Sequence, residues 1–133
     1  MARRIGIVVS LFNDEITGDM RKFAEQRANE LGVKILKIVE VPGAFEIPLA
    51  VKRLLDDKNI EGVATLGAII KGGTEHDKVV AESVSRKILD LSIEHKKPVS
   101  LGIIGPGATS QQAKKRAGEY ARRSIDSVLK MLQ

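Results

Sequence analysis

Four apolar runs alternate with four amphipathic segments along this chain, and that alternation constrains the fold more than any other feature. The runs are residues 4–10 ("RIGIVVS"), 33–41 ("VKILKIVEV"), 62–70 ("GVATLGAII") and 98–104 ("PVSLGII"). Near-continuous apolar runs bounded by polar residues suit strands covered on both faces. The first intervening segment places Ile16, Met20, Phe23, Ala24, Arg27 and Leu31 at spacings of three and four and ends at Gly32 as a helix stop. A second helix begins around Phe45, with Pro48 tolerable only in its first turn. The third, over about residues 74–94, carries Val80, Val84, Ile88 and Leu91 on one side. The fourth, over about 109–132, carries Ala113, Ala117, Tyr120, Ser124, Val128 and Met131. Strand–helix alternation of this kind predicts a three-layer α/β/α sandwich around a central four-stranded parallel sheet, flavodoxin-like, with right-handed crossovers.

A chain of 133 residues is most simply a single domain, and it is long enough to bury a core without cross-links. It contains no cysteine, which excludes thiol nucleophiles, disulfides and cysteine-held metal. No apolar run approaches the roughly 20 residues needed to span a bilayer, and residues 1–10 are too short an apolar stretch for a signal peptide. The expectation is a cytoplasmic protein with no membrane partner. The net charge of +5 is concentrated in "KKRAGEYARR", but three Phe, one Tyr and no Trp offer few stacking platforms. No nucleic-acid partner is expected.

In open parallel sheets ligands gather at the carboxyl ends of the strands. Here the four segments that follow the strands are "LFND", "VPGAFEIP", "KGGTEHD" and "GPGATSQQAKKR". They bring Phe12, Asn13, Glu46, a glycine-rich turn with His76, and a basic group to one edge. Gly72 and Gly73 let backbone N–H groups approach an anion at the start of a helix, beside His76. The same pattern also reads as an ordinary strand-to-helix connection with Thr74 as N-cap. Taken together, a stacking surface, a hydrogen-bonding acid, a phosphate nest and a proton shuttle suit condensation of a planar heterocycle with a phosphorylated small molecule.

The stretches "VPGAFEIPLA" (41–50), "LGAIIKGGTEHDKVV" (66–80), "KPVSLGIIGPG" (97–107) and "QAKKRAG" (112–118), with "FND" (12–14), resemble the 6,7-dimethyl-8-ribityllumazine synthase family in the family's own order. The abbreviated N-terminus and the "GPG" look like its archaeal branch. The resemblance implies condensation of 5-amino-6-(D-ribitylamino)uracil with 3,4-dihydroxy-2-butanone 4-phosphate, with no metal and no organic cofactor. It implies that Phe12 stacks on the pyrimidine and that Asn13 lines the same pocket. It further implies that Ala44, Phe45 and Glu46 hold the ribityl chain, and that the backbone of Ile69 and Ile70 meets the pyrimidine edge. Gly72, Gly73 and Thr74 would bind phosphate and His76 would move protons, a task suited to imidazole near neutrality. Leu101, where many bacterial members carry an aromatic, and Arg116 would reach the site from a neighbouring subunit. Arg122 or Arg123 would stand in for a lysine of other members. His95, near a helix end, is expected to be structural.

Two other readings compete with this one. The first is an archaeal-type riboflavin synthase of similar fold; the intact "GAFE" and "GGTEH" argue against it. The second is a non-catalytic flavodoxin-like module that binds a phosphorylated ligand or an acidic partner. The resemblance also implies self-association into pentamers, and the uninterrupted C-terminal helix favours a 60-subunit icosahedral shell over an isolated ring.

Overall fold

A computed structural model describes residues 2–72 and 76–133. In chain order the elements are β1 (Arg4–Ser10), α1 (Asp14–Glu30), β2 (Lys34–Val41), a 3₁₀ turn (Ala44–Glu46), α2 (Ile47–Leu55), β3 (Gly62–Ile70), α3 (His76–His95), β4 (Ile103–Ala108) and α4 (Ser110–Leu132). The strands form one parallel sheet in the order β2-β1-β3-β4. The result is the three-layer flavodoxin-like sandwich expected from the alternation.

Side chains alternate across the pleat and so feed two cores. Ile5, Ile7, Val9, Ala64 and Leu66 pack under α1 and α4, against Ile16, Met20, Ala24, Ala117 and Ile125. Val8, Val63, Ile69 and Ile103 pack under α2 and α3, against Val51, Leu54, Val84 and Ile88. Each fully buried Ile or Leu contributes on the order of 1.5–3 kcal/mol, which is why β1 and β3 coincide with their apolar runs. Gly32 follows the end of α1 with φ 70°, the left-handed conformation that stops the helix. Thr109 opens α4 with a reciprocal capping box to Gln112.

The helix faces differ from the sequence expectation at their margins. On α1 the buried residues are Ile16, Thr17, Met20, Ala24 and Ala28, whereas Phe23 and Leu31 are partly exposed. Phe23 lies beneath the Arg122 guanidinium, 5.4 Å from its ring centre, and Arg27 pairs with Asp126 at 2.8 Å. These residues flank the α1–α4 seam rather than fill it. Met131, expected on the core face of α4, is 74% exposed, while Leu129 and Leu132 on either side of it pack against the core.

The largest departure is the fourth strand, which begins at Ile103 rather than residue 98 and runs through the Gly105-Pro106-Gly107 segment expected as a loop. Residues 98–102 still follow β3, but side-chain hydroxyls interrupt the ladder. Thr65 Oγ1 donates to the Ser100 carbonyl (2.7 Å) and accepts from the Gly102 N–H (3.1 Å). Ser124 from α4 donates to the Thr65 carbonyl (3.0 Å), and its hydroxyl also meets that of Ser100. Gly102 is required there, since a Cβ would lie 2.1 Å from the Thr65 carbonyl oxygen. Thr65→Val keeps the shape but strands the buried Gly102 N–H. It is expected to cost about 1–3 kcal/mol, measured by urea unfolding.

At the opposite edge from the strand carboxyl ends, charged groups tie the helix ends to the sheet. His95 Nδ1 donates to the Leu91 carbonyl (2.9 Å), and its Nε2 lies 3.1 Å from Asp56, which Lys52 also contacts at 3.0 Å. His95 is thus a structural residue of the α2–α3 contact. The Lys52 hydrogen bond, then that of His95, lowers the Asp56 pKa; the Arg4 backbone N–H, then Arg3, lowers that of Glu61. A carboxylate with a lowered folded-state pKa adds stability that is complete above its unfolded pKa and is lost as pH falls through the folded one. Asp56→Asn and Glu61→Gln together should therefore flatten the decline in stability below about pH 4, read as thermal midpoints at pH 3 and pH 7. Because Asp56 is more than half exposed, its share is the smaller.

Candidate active site

Three connections at the carboxyl edge of the sheet enclose a cleft of 280 Å³. The β1–α1 turn supplies Phe12 and Asn13, and the β2–α2 connection supplies Gly43, Ala44 and Phe45. The end of β3 and the approach to α3 supply Ala68, Ile69, Ile70 and Gly72, and the first turns of α3 supply His76, Asp77 and Val80. The parallel topology accounts for this convergence: β1 lies between β2 and β3, so the connections that leave all three strands open side by side.

The floor is apolar and closed, with Ala68 and Ile69 buried, while the rim carries two aromatic rings with little cover. Phe12 is 71% exposed and Phe45 is 66% exposed. Exposed rings flanking a concave apolar surface are suited to gripping a planar ligand. The Asn13 side-chain amide donates to the Ala68 carbonyl at 3.0 Å. The Leu11 and Phe12 N–H groups donate to the carbonyls of Val41 (2.8 Å) and Pro42 (2.9 Å). His76, exposed as the first residue of α3, brings an imidazole to the helix end whose N–H donors favour anions. Lys71 leaves β3 with its N–H on the Ala108 carbonyl (2.7 Å), which anchors the chain leading to Gly72.

The structure therefore brings together Phe12, Asn13, Ala44, Phe45, Ile69, Ile70, Gly72 and His76. Gly73 and Thr74, expected to bind phosphate, lie outside the described residues. Three expected residues are not in the cleft. Glu46, exposed in the same 3₁₀ turn as Phe45, lines a separate 470 Å³ cleft between β2 and α2. Leu101, 51% exposed, lines a groove between α3 and β4 with Lys78, Arg86 and Pro106. Arg116 stands exposed on α4. Gly43, Ala68, Asp77 and Val80 line the cleft without having been expected. Val80 follows from helical spacing, one turn beyond His76, and Ala68 from alternation with Ile70. Among the described residues no three His, Asp or Glu side chains gather in a metal-holding group, and no helix is long and apolar enough to cross a membrane.

Fold and cleft together define a flavodoxin-like α/β protein with a candidate ligand cleft at the carboxyl edge of its sheet. Residues 2–133 match the family model described as 6,7-dimethyl-8-ribityllumazine synthase. Proteins of that name resemble the chain over almost its whole length. The one from Staphylothermus marinus is 52% identical over 129 residues, 97% of this chain and 86% of the relative. That from Methanopyrus kandleri is 50% identical over 130 residues (98% and 92%), and that from Picrophilus torridus is 50% identical over 130 residues (98% and 95%). The chain belongs to the 6,7-dimethyl-8-ribityllumazine synthase family.

Proposed function

We infer that the chain condenses 5-amino-6-(D-ribitylamino)uracil with 3,4-dihydroxy-2-butanone 4-phosphate, releasing phosphate and water and forming 6,7-dimethyl-8-ribityllumazine, the penultimate step of riboflavin biosynthesis. Family membership supplies the reaction. The observation that carries its assignment to residues is the single cleft in which two exposed aromatic rings, an amide, an apolar floor and His76 converge.

In this reading Phe12 stacks on the pyrimidine, whose edge meets the Ile69 and Ile70 backbone, and Asn13 closes the same wall. Ala44, Phe45 and Glu46 take the ribityl chain; Glu46 adjoins Phe45 and needs only to turn from the rim. The phosphate sits on Gly72, Gly73 and Thr74 at the start of α3. His76 relays protons during imine formation, phosphate elimination and ring closure. Most of the rate comes from holding the two substrates in reacting orientation, with acid–base help added.

Leu101 and Arg116 lie outside the cleft of their own chain, which fits their arriving from a second copy in a pentameric ring. Self-association is further supported by apolar side chains left in solvent along α2 and α3, namely Leu49 (57% exposed), Val79 (60%), Leu89 (60%) and Ile93 (67%). The uninterrupted α4 favours assembly of the rings into a 60-subunit shell. The reading includes a cytoplasmic location and neither metal nor organic cofactor. Incubation of the purified protein with both substrates tests it, since lumazine forms and its absorbance rises. Riboflavin formed from added lumazine would instead indicate the dismutating paralogue, and absence of turnover a binding module.

A further inference from the structure

We propose that Asn13 is a positioning residue that sets the stance of the Phe12 ring through the Ala68 carbonyl. The inference rests on the proposed function for its kinetic consequence and on geometry alone for the mount itself. At 71% exposure the Phe12 ring is not held by packing within its own chain, so its direction there depends on the backbone that carries it. That backbone is fixed from two sides. The N–H groups of Leu11 and Phe12 are bound to carbonyls at the end of β2, and the Asn13 amide is bound to the Ala68 carbonyl on β3. The β1–β3 ladder ends at Val9 and Leu66, so the amide takes a carbonyl beyond the last backbone pair.

Asn13 occupies the N-cap position of α1, where an Asn side chain ordinarily accepts from the helix's own N–H groups. Here it makes no such bond. The residue is also left-handed, at φ 66° and ψ 46°, a conformation that few residues other than Gly tolerate and Asn tolerates best. The position thus requires tolerance of positive φ together with a side-chain donor of fixed reach. Gly supplies only the first, and Asp supplies the first but turns an acceptor toward a carbonyl.

The test uses the full chain. The protein has no tryptophan, so Phe12→Trp provides a single fluorescent reporter at the ring position. In that background Asn13→Gly, and likewise Asn13→Asp, should lower the tryptophan anisotropy. Thermal unfolding confirms that each variant remains folded, and Gly suits the positive φ. With Phe12 intact, Asn13→Gly should raise the KM for the pyrimidine about 10-fold while the KM for the four-carbon phosphate stays within about 2-fold. A raised pyrimidine KM with unchanged anisotropy would make Asn13 a direct ligand and overturn the proposal. Changed anisotropy without a change in KM, or no change in either, overturns it as well. If the unsubstituted protein turns over neither substrate, the proposed function fails, and the tryptophan reporter still decides for or against the mount.

Discussion

His76→Ala should lower kcat by about 10- to 1000-fold without abolishing turnover, because acid–base help of the kind proposed for His76 contributes a few orders of magnitude at most. In the proposed mechanism the remaining acceleration comes from orientation of the two substrates by Phe12 and the apolar floor, neither of which needs the imidazole. His76 is exposed at the first position of α3, and Ala is the best helix former. Steady-state rates of lumazine appearance at saturating substrate give the answer directly. The natural control is the other histidine. His95 lies at the far end of the same helix, bound to Leu91 and Asp56, so His95→Gln should alter stability and leave kcat unchanged. Equal kinetics in the His76 variant and the parent would remove His76 from the chemistry.

The contrast between the two histidines illustrates what could be read from residues alone. His76 follows a glycine pair after an apolar run and His95 closes a helix, and sequence-local signals of this kind place a residue at one edge of the sheet or the other. The same locality explains why β1 and β3 coincide with their apolar runs and α4 with its expected span. It also explains where reading fails. The fourth strand is displaced by hydroxyls of Thr65 and Ser124, which approach it from β3 and α4, far away in sequence. The α1 face departs from its periodicity because Phe23 and Arg27 find partners on α4, at Arg122 and Asp126. At the site, residues carried by the strand ends converge as expected. Glu46 does not: it closes the 3₁₀ turn and lines the cleft between β2 and α2 instead. Leu101 and Arg116 lie outside the cleft of their own chain, and only the proposed assembly would bring them to a site.

That assembly is open to a decisive measurement. In the proposed ring each site takes His76 from one subunit and Arg116 from the next, a head-to-tail contact that closes on itself. Arg116→Ala should raise the KM for the butanone phosphate far more than that for the pyrimidine, because a guanidinium holds phosphate by paired, charge-assisted hydrogen bonds. At low butanone phosphate, homogeneous His76→Ala and Arg116→Ala proteins are both poorly active. Co-expressed in equal amounts, random subunits give sites with both residues intact in about one case in four, so the mixture should regain roughly a quarter of the parental rate. If Arg116 served its own chain, every mixed assembly would still contain only defective sites, and no activity would return. An active monomer would refute the shared site outright. Light scattering on the parent protein then settles the larger assembly: a species no bigger than a decamer excludes the shell and leaves the ring, while a particle of 60 subunits requires that the apolar faces of α2 and α3 and the rings themselves all be covered.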